Sequence, residues 1–485
     1  MVHRLLLLLC CLVLSACGDE LPVAAPVGES PVAALAELDA LAEHPRARSV
    51  VLFTIDTLRA DRIAMYRSDA PSSPATERLG AQSLVFDRAY SQASNTSPAV
   101  ASFLTGLLPP RHGVMNQTEK LHDHVISLPV MVQQAGLRTG SFVANLCKLQ
   151  SVKPSVFNEG WDVRFCGMDS NRPQRDWGAA VVDAGLEFIR QAEADGVPYF
   201  AWIHLMDPHS EYSPGPADWD DKADPLSNKF DQLQFLSGFE ETLEAPPEHV
   251  LQRLNALYDA EVSGSSRLLG RFLNAFDEFP RSDESALIFS ADHGEELYET
   301  WHRIGHGLSM TEGVLHVPLA VRAPGLQPGR SDALTETLAI TPTVLALLGL
   351  EAPYALDGQS VLSGHGVPAA RSFESGFSMT LRTDDHRYWR RLVTTAPTRE
   401  VAAWRLLAPW FQQPECLATF ESLWDHQPQW LDMRAPQQQS LADELRAQGQ
   451  QVVDMVIAQL PQEEVDDPDF LEQLRQLGYI GEAQR

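Results

Sequence analysis

The chain has 485 residues, 44% of them hydrophobic, enough to bury a large core in one big domain or two modest ones. Its formal net charge is −28, with the acid spread along the chain, so its surface repels nucleic acid and argues against that class of partner. An anionic substrate would need a local cation, and a bound metal ion is the obvious source.

In chain order, "MVHRLLLLLCCLVLSACGDE" reads as a targeting segment, with a short basic start, an apolar run from Leu5 to Leu14 and then small residues. The run is too short to span a bilayer as a mature helix. "LSAC" resembles a bacterial lipobox, which implies cleavage before Cys17 and lipid on its thiol; the alternative is an ordinary secretory signal containing a cysteine. Either reading puts the mature protein outside the cytoplasm, and the lipobox reading anchors it by lipid in the bacterial cell envelope, facing the periplasm or the exterior. Residues 17–48 are rich in Ala, Pro and Glu and read as a tether, with a short helix around Ala33 to Ala42. Of six cysteines, Cys10 and Cys11 leave with the signal, and Cys147, Cys166 and Cys416 permit one disulfide, with Cys147 and Cys166 the nearer pair.

Continuous apolar and β-branched runs predict strands at 49–56, 139–145, 198–205, 285–292 and 317–324, buried on both faces as in a parallel sheet. Apolar residues at three and four spacing predict helices at 176–194, 249–276 and 341–350. This alternation predicts a three-layer α/β domain over 49–364, after a signal at 1–16 and the tether. Over 365–485 the pattern changes to a small α+β subdomain. It contains a hairpin at 378–395, a solvated Gln-rich loop at 427–439, a helix near 440–460, and an acidic loop before "FLEQLRQLGYIG".

In open α/β sheets, sites form at the carboxyl edge of the strands. Three predicted strand ends carry acid or imidazole there: Asp56; His204, Asp207 and His209; Asp292 and His293. "WHRIGHG" adds His302 and His306. Singly, each residue reads as a cap or a packed side chain. Gathered at one edge they would be costly to bury unless a divalent cation offset the charge.

Seven segments in order resemble the sulfatase family of the alkaline phosphatase superfamily: "VLFTIDTLRADRIAMY", "TSPAVASFLTGLLPPRHGV", "HLMDPHSEY", "SADHGEE", "GHGLSMTEGVLHVPLAVRAPG", "LDGQSVL" and "LRQLGYIG". The resemblance implies the sulfatase-like (alkaline phosphatase-like) fold and metal ligands at Asp56, Asp292 and His293. It puts His204 and His209 near the substrate, His306 facing the scissile group, and Asn145 at a substrate contact. Two departures stand out. Thr57 replaces a second aspartate, and Val100 replaces the signature's arginine. Thr96 stands where the family carries its formylglycine precursor, and threonine is not such a precursor. Thr96 would therefore act as an alcohol, on the metal and as the catalytic nucleophile; the local alternative is a helix N-cap. Arg111 and His112 would add positive charge to the substrate site or else fix their loop. One divalent ion is expected, Ca²⁺, Mg²⁺ or Mn²⁺, with Zn²⁺ also compatible, because a two-zinc site would need another Asp and two further His. The implied activity is hydrolysis or transfer of a sulfate or phosphate ester, on an envelope glycan or lipid. The competing class is a non-catalytic envelope protein that binds an anionic partner on a degenerate sulfatase fold. The segment at 215–249 is expected to form a loop near the site mouth.

Overall fold

The structure is a computed structural model that describes residues 46–70, 74–116, 119–144, 155–170, 176–210, 212, 246–300, 304–307, 309–374, 378–391, 415–419, 429–431, 433 and 435–457. The signal, Cys17, the tether helix, Asn145, Cys147, His302, most of the 215–249 segment and the chain's last 28 residues lie outside the described residues.

Eight strands form the main sheet: β1 (Ser49–Ile55), β2 (Leu84–Phe86), β3 (Arg138–Val143), β4 (Val163–Cys166), β5 (Tyr199–Leu205), β6 (Ser285–Ala291), β7 (Leu319–Arg322) and β8 (Gly329–Ser331), in the order β8-β2-β7-β6-β1-β5-β3-β4. β1 pairs in parallel with β5 and β6, and β3 in parallel with β5 and β4. Every residue of β1, β5 and β6 is buried, which is why these segments read as unbroken apolar runs rather than alternating ones.

Alternate residues of β1 enter two cores. Val51, Phe53 and Ile55 pack with Val181, Phe188, Leu254 and Phe272 of the helices Trp177–Asp195 and Glu248–Phe276. Val50 and Leu52 pack with Phe103, Leu128 and Val344 of the helices Thr96–Thr105, Leu128–Gln134 and Ile340–Leu348 on the other face. The result is the expected three-layer α/β/α arrangement.

Two expectations are corrected. β7 runs antiparallel to both β6 and β2, because a short apolar run carries no information about strand direction. The Gln-rich segment is not all loop: Gln429–Leu431 is the edge strand of a five-stranded antiparallel sheet over residues 370–431. That sheet includes the predicted hairpin, Ser378–Arg382 with His386–Arg391, and the helix Gln439–Ile457 follows it. Leu108 and Leu338 share a core with its Phe373, Met379 and Tyr388. Cys166 is disulfide-bonded. No helix among the described residues is long and apolar enough to cross a membrane.

Candidate active site and metal centre

Strand register assembles the site. Ile55 lies opposite both Leu205 and Ala291, so the next residues out, Asp56 and Asp292, leave neighbouring parallel strands at the same level. The Asp56 N–H still reaches the Leu205 carbonyl at 2.9 Å, holding the turn to the sheet. Asp292 Oδ1 accepts from the backbone N–H of His293 at 2.9 Å and of Thr57 at 3.3 Å. Asp56 Oδ1 and Asp292 Oδ2 have no hydrogen-bond partner, although both residues are buried.

His293 completes the group. Its Nδ1 bonds the Gly294 carbonyl at 2.9 Å, and a carbonyl only accepts, so Nδ1 carries a hydrogen and, in the neutral ring, Nε2 has the lone pair. Nε2 lies 3.8 Å from Asp56 Oδ1 and 3.4 Å from Asp292 Oδ2. Asp56, Asp292 and His293 each present one donor atom, all within 4.8 Å of one another, and they form the one such group of three or more among the described residues. Two orphaned carboxylate oxygens and one imidazole lone pair, buried together, fit a divalent cation in a hard, oxygen-rich site.

The charges in this group oppose one another. Burial raises the Asp56 carboxyl, but His204, His209 and His293 outweigh it and hold its pKa below the usual carboxylate range. Burial and the neighbouring Asp56 push Asp292 up. Burial favours the neutral His293 ring, yet Asp292 and Asp56 bring its pKa above the ordinary value.

Thr96 opens the buried helix Thr96–Thr105 at its first helical position. The N-cap is Asn95, and its side chain donates to the Gly307 carbonyl at 3.4 Å instead of capping the helix. Thr96 is therefore not the N-cap. Its hydroxyl points to His293 Nε2 at 3.3 Å, where it is the donor. One lone pair can serve this hydroxyl or a cation, not both, so a bound ion would free the Thr96 hydroxyl from His293.

His204 belongs to β5 itself and not to the turn that follows it. It is 1% exposed, behind Asp56. Its Nδ1 meets Thr54 Oγ1 at 2.8 Å, and Trp202 Nε1 donates to the same oxygen at 2.9 Å. His204 Nε2 is buried without a hydrogen-bond partner and lies 3.7 Å from Asp56 Oδ2. His204 is thus held by Thr54 beside the Asp56 carboxylate.

His306 and His209 line the outer side. Their rings meet edge to face at 4.7 Å, and the His306 ring is 4.5 Å from that of His293. His306 Nδ1 bonds Glu295 Oε1 at 2.9 Å. Burial lowers the His306 pKa below its ordinary value despite Glu295.

Arg111 and His112 hold their loop. Arg111 Nη1 pairs with Asp357 Oδ1 at 2.6 Å, and Asp357 Oδ2 also accepts from the Leu108 N–H at 2.9 Å. His112 is fully buried, accepts from the Val114 N–H at 3.1 Å and bonds Ser102 Oγ at 3.0 Å, and burial lowers its pKa to about 3. A neutral ring adds no positive charge, so the loop-fixing alternative is the one the geometry matches.

Sequence reasoning missed Glu295 and Arg59. Both lie in quoted motifs, "SADHGEE" and "DTLRADR", but acids and arginines near a strand end usually face solvent, so nothing local marked them. Arg59 is 1% exposed and bonds Asp61 through Nε and Nη2, each at 2.9 Å, and the Glu295 carbonyl through Nη1 at 3.0 Å.

Comparison with known proteins agrees with this architecture. The Sulfatase family profile matches residues 48–350. Arylsulfatase K of Xenopus laevis is 24% identical over 356 residues, covering 65% of this chain and 65% of that protein's length. The solved phosphonate monoester hydrolase of Silicibacter pomeroyi superposes with a TM-score of 0.63 at 20% identity, over 85% of this chain and 96% of its own. That of Agrobacterium radiobacter has a TM-score of 0.56 at 19% identity, over 71% and 87%. At these identities the solved structures speak to the fold, while the profile spans well over half of the chain: the protein belongs to the sulfatase family.

Proposed function

We propose that the protein is a metal-dependent sulfuric- or phosphoric-ester hydrolase that works through a covalent Thr96 ester. The observation that carries this reading is the Thr96 hydroxyl, 3.3 Å from His293 Nε2, beside two buried carboxylates with an oxygen each to spare. Asp56, Asp292 and His293 would hold one divalent ion, which, when bound, would supply Lewis-acid charge and lower the pKa of a hydroxyl. Thr96 lies at the N-terminus of a buried helix, which favours negative charge on its oxygen. That oxygen attacks in line, its proton passing to solvent. The ester bond to the leaving group breaks, and the departing oxygen takes a proton from His209 or His306. Water then attacks the threonine ester and gives a proton to the same imidazole, the bond to Thr96 breaks, and the Thr96 oxygen takes a proton back from solvent to restore the hydroxyl.

Chemistry favours a phosphonate monoester or phosphodiester over a sulfate ester. A formylglycine hydrate expels sulfate by collapsing to the aldehyde; a threonine ester has no such exit and must be attacked at its central atom. Attack on phosphorus is a ready second step. Export and lipid attachment at Cys17 complete the proposal, with an anionic envelope glycan or lipid as substrate.

The test is a panel of aryl sulfate, aryl phosphate, phosphonate monoester and phosphodiester substrates. Thr96→Ala is expected to lower turnover on the order of 10³-fold or more, as loss of a nucleophile does, with thermal stability almost unchanged. Mass spectrometry of the quenched wild-type protein should find the added group on the peptide containing Thr96. A Thr96→Ala variant with full turnover would remove Thr96 from the mechanism. A wild-type protein that binds anions and turns over nothing would favour the non-catalytic reading.

A further inference from the structure

Glu295 is neither a ligand in the proposed metal centre nor a reacting group, yet it is completely buried beside the two outer imidazoles. Its carboxylate serves two segments. Oε1 bonds His306 Nδ1 at 2.9 Å, and Oε2 accepts from the backbone N–H of Ser210, the residue after His209, at 3.3 Å. The His209 and His306 rings then meet at 4.7 Å, and His306 meets His293 at 4.5 Å. Glu295 is itself held: Arg59 Nη1 donates to its carbonyl at 3.0 Å.

The chemistry of the two contacts restricts what this residue can be. A backbone N–H only donates. If the other partner also donates, the residue between them must accept at both ends, as a carboxylate does. An amide of the same shape accepts at one end and presents N–H groups at the other, against a second donor. A carboxylate also fixes the histidine tautomer. With the hydrogen on Nδ1, Nε2 is left as the nitrogen available on the far side of the ring. Such outer partners orient an imidazole without touching the substrate.

We propose that Glu295 is a positioning residue, fixing the tautomer and orientation of His306 and tying the His209 turn to it, so that one carboxylate sets the geometry of both imidazoles at the ester. This rests on the reading that those imidazoles serve an ester.

The experiment uses the full chain loaded with Mg²⁺, labelled with nitrogen-15 at histidine, with the His306 signals assigned by their loss in His306→Gln. In the wild type, His306 is expected to carry its hydrogen on Nδ1. In Glu295→Gln, that tautomer is expected to lose its dominance. On an ester with a poor leaving group, kcat is expected to fall about 10- to 100-fold, the range typical of lost outer partners, with KM and metal content close to wild type. A wild-type His306 with its hydrogen on Nε2 would overturn the proposal whether or not the variant folds. So would a Glu295→Gln protein with wild-type His306 signals and wild-type kcat, or one that loses metal in proportion to activity. A tautomer shift in a protein that turns over no ester would support the positioning of His306 and remove the esterase reading alone.

Discussion

His112 shows how one buried side chain ties stability to pH. It sits against the Thr96 helix, bonded to Ser102, whose hydroxyl in turn donates to the Pro98 carbonyl at 2.8 Å. Its folded pKa, lowered to about 3 by burial, lies below the ordinary value of 6.5. Between those values the unfolded ring binds a proton that the folded ring excludes. Its contribution is therefore complete above pH 6.5 and is lost as pH falls toward 3, at about 1.4 kcal/mol per pH unit. Urea unfolding at a series of pH values should show His112→Gln with a flatter dependence across that window, by close to one proton. An unchanged slope would acquit His112. His204 supports a different expectation, because its Nε2 lies 3.7 Å from the Asp56 carboxylate. His204→Gln should weaken Mg²⁺ or Mn²⁺ binding by about 10- to 100-fold in calorimetric titration, and a variant with wild-type affinity would return His204 to the substrate side. Thr57 carries strain at the same place: a β-branched residue at φ +55°, with its backbone N–H on Asp292 and its carbonyl accepting from Tyr258 at 2.8 Å.

Among the elements, the turn after β6 is braced by a buried side chain from another segment. It delivers Asp292, His293 and Glu295 within four residues, ahead of the two-residue strand Glu296–Leu297 that pairs with Ile304–Gly305. Arg59, just past the end of β1, braces it together with the Gly294 N–H, which donates to the Val314 carbonyl at 2.6 Å. Its guanidinium is bidentate to Asp61, reaches Glu299 at 2.7 Å and bonds the Glu295 carbonyl. The approach is so close that a Cβ on Gly294 would lie 2.1 Å from the Gly313 carbonyl and 3.1 Å from Arg59 Cγ. Removing one partner of a buried ion pair leaves an uncompensated charge. Arg59→Met should therefore lower stability by about 3–5 kcal/mol in urea titration. Arg59→Met with Asp61→Leu should recover part of that loss, since an apolar pair of similar volume replaces the ions. A single variant within 0.5 kcal/mol of wild type would show that the turn holds itself.

Across the whole molecule, what the sequence revealed follows from how locally each feature is encoded. β1, β5 and β6 were legible because a strand buried on both faces is an unbroken apolar run, and their ends brought Asp56 and Asp292 into view. β2, β4 and β8 were not, because three or four residues are too few to show a period. The direction of β7, the rearward place of His204 and the two-sided grip of Glu295 depend on partners distant in the chain, which no local pattern records. The union of the main sheet with the C-terminal sheet is of this kind. Glu312, in the turn helix Glu312–Leu315, accepts through Oε1 from Arg382 Nε at 2.8 Å and from Arg387, and through Oε2 from the Tyr90 hydroxyl at 2.9 Å. Arg382 and Arg387 face each other on adjacent strands of the C-terminal sheet, and both are buried. One carboxylate therefore binds two guanidiniums where the main domain meets the C-terminal sheet, beside Met310, Val314, Ala370 and Trp389. Glu312→Gln keeps the shape and removes the charge, leaving two buried cations against each other, and should cost about 3–5 kcal/mol. Adding Arg387→Met should restore much of it by removing the repulsion. Urea unfolding of the two variants decides the matter: equal stability of Glu312→Gln and wild type would mean that apolar packing alone joins the sheets, and failure of the second change to help would place the cost elsewhere than in the stranded arginines.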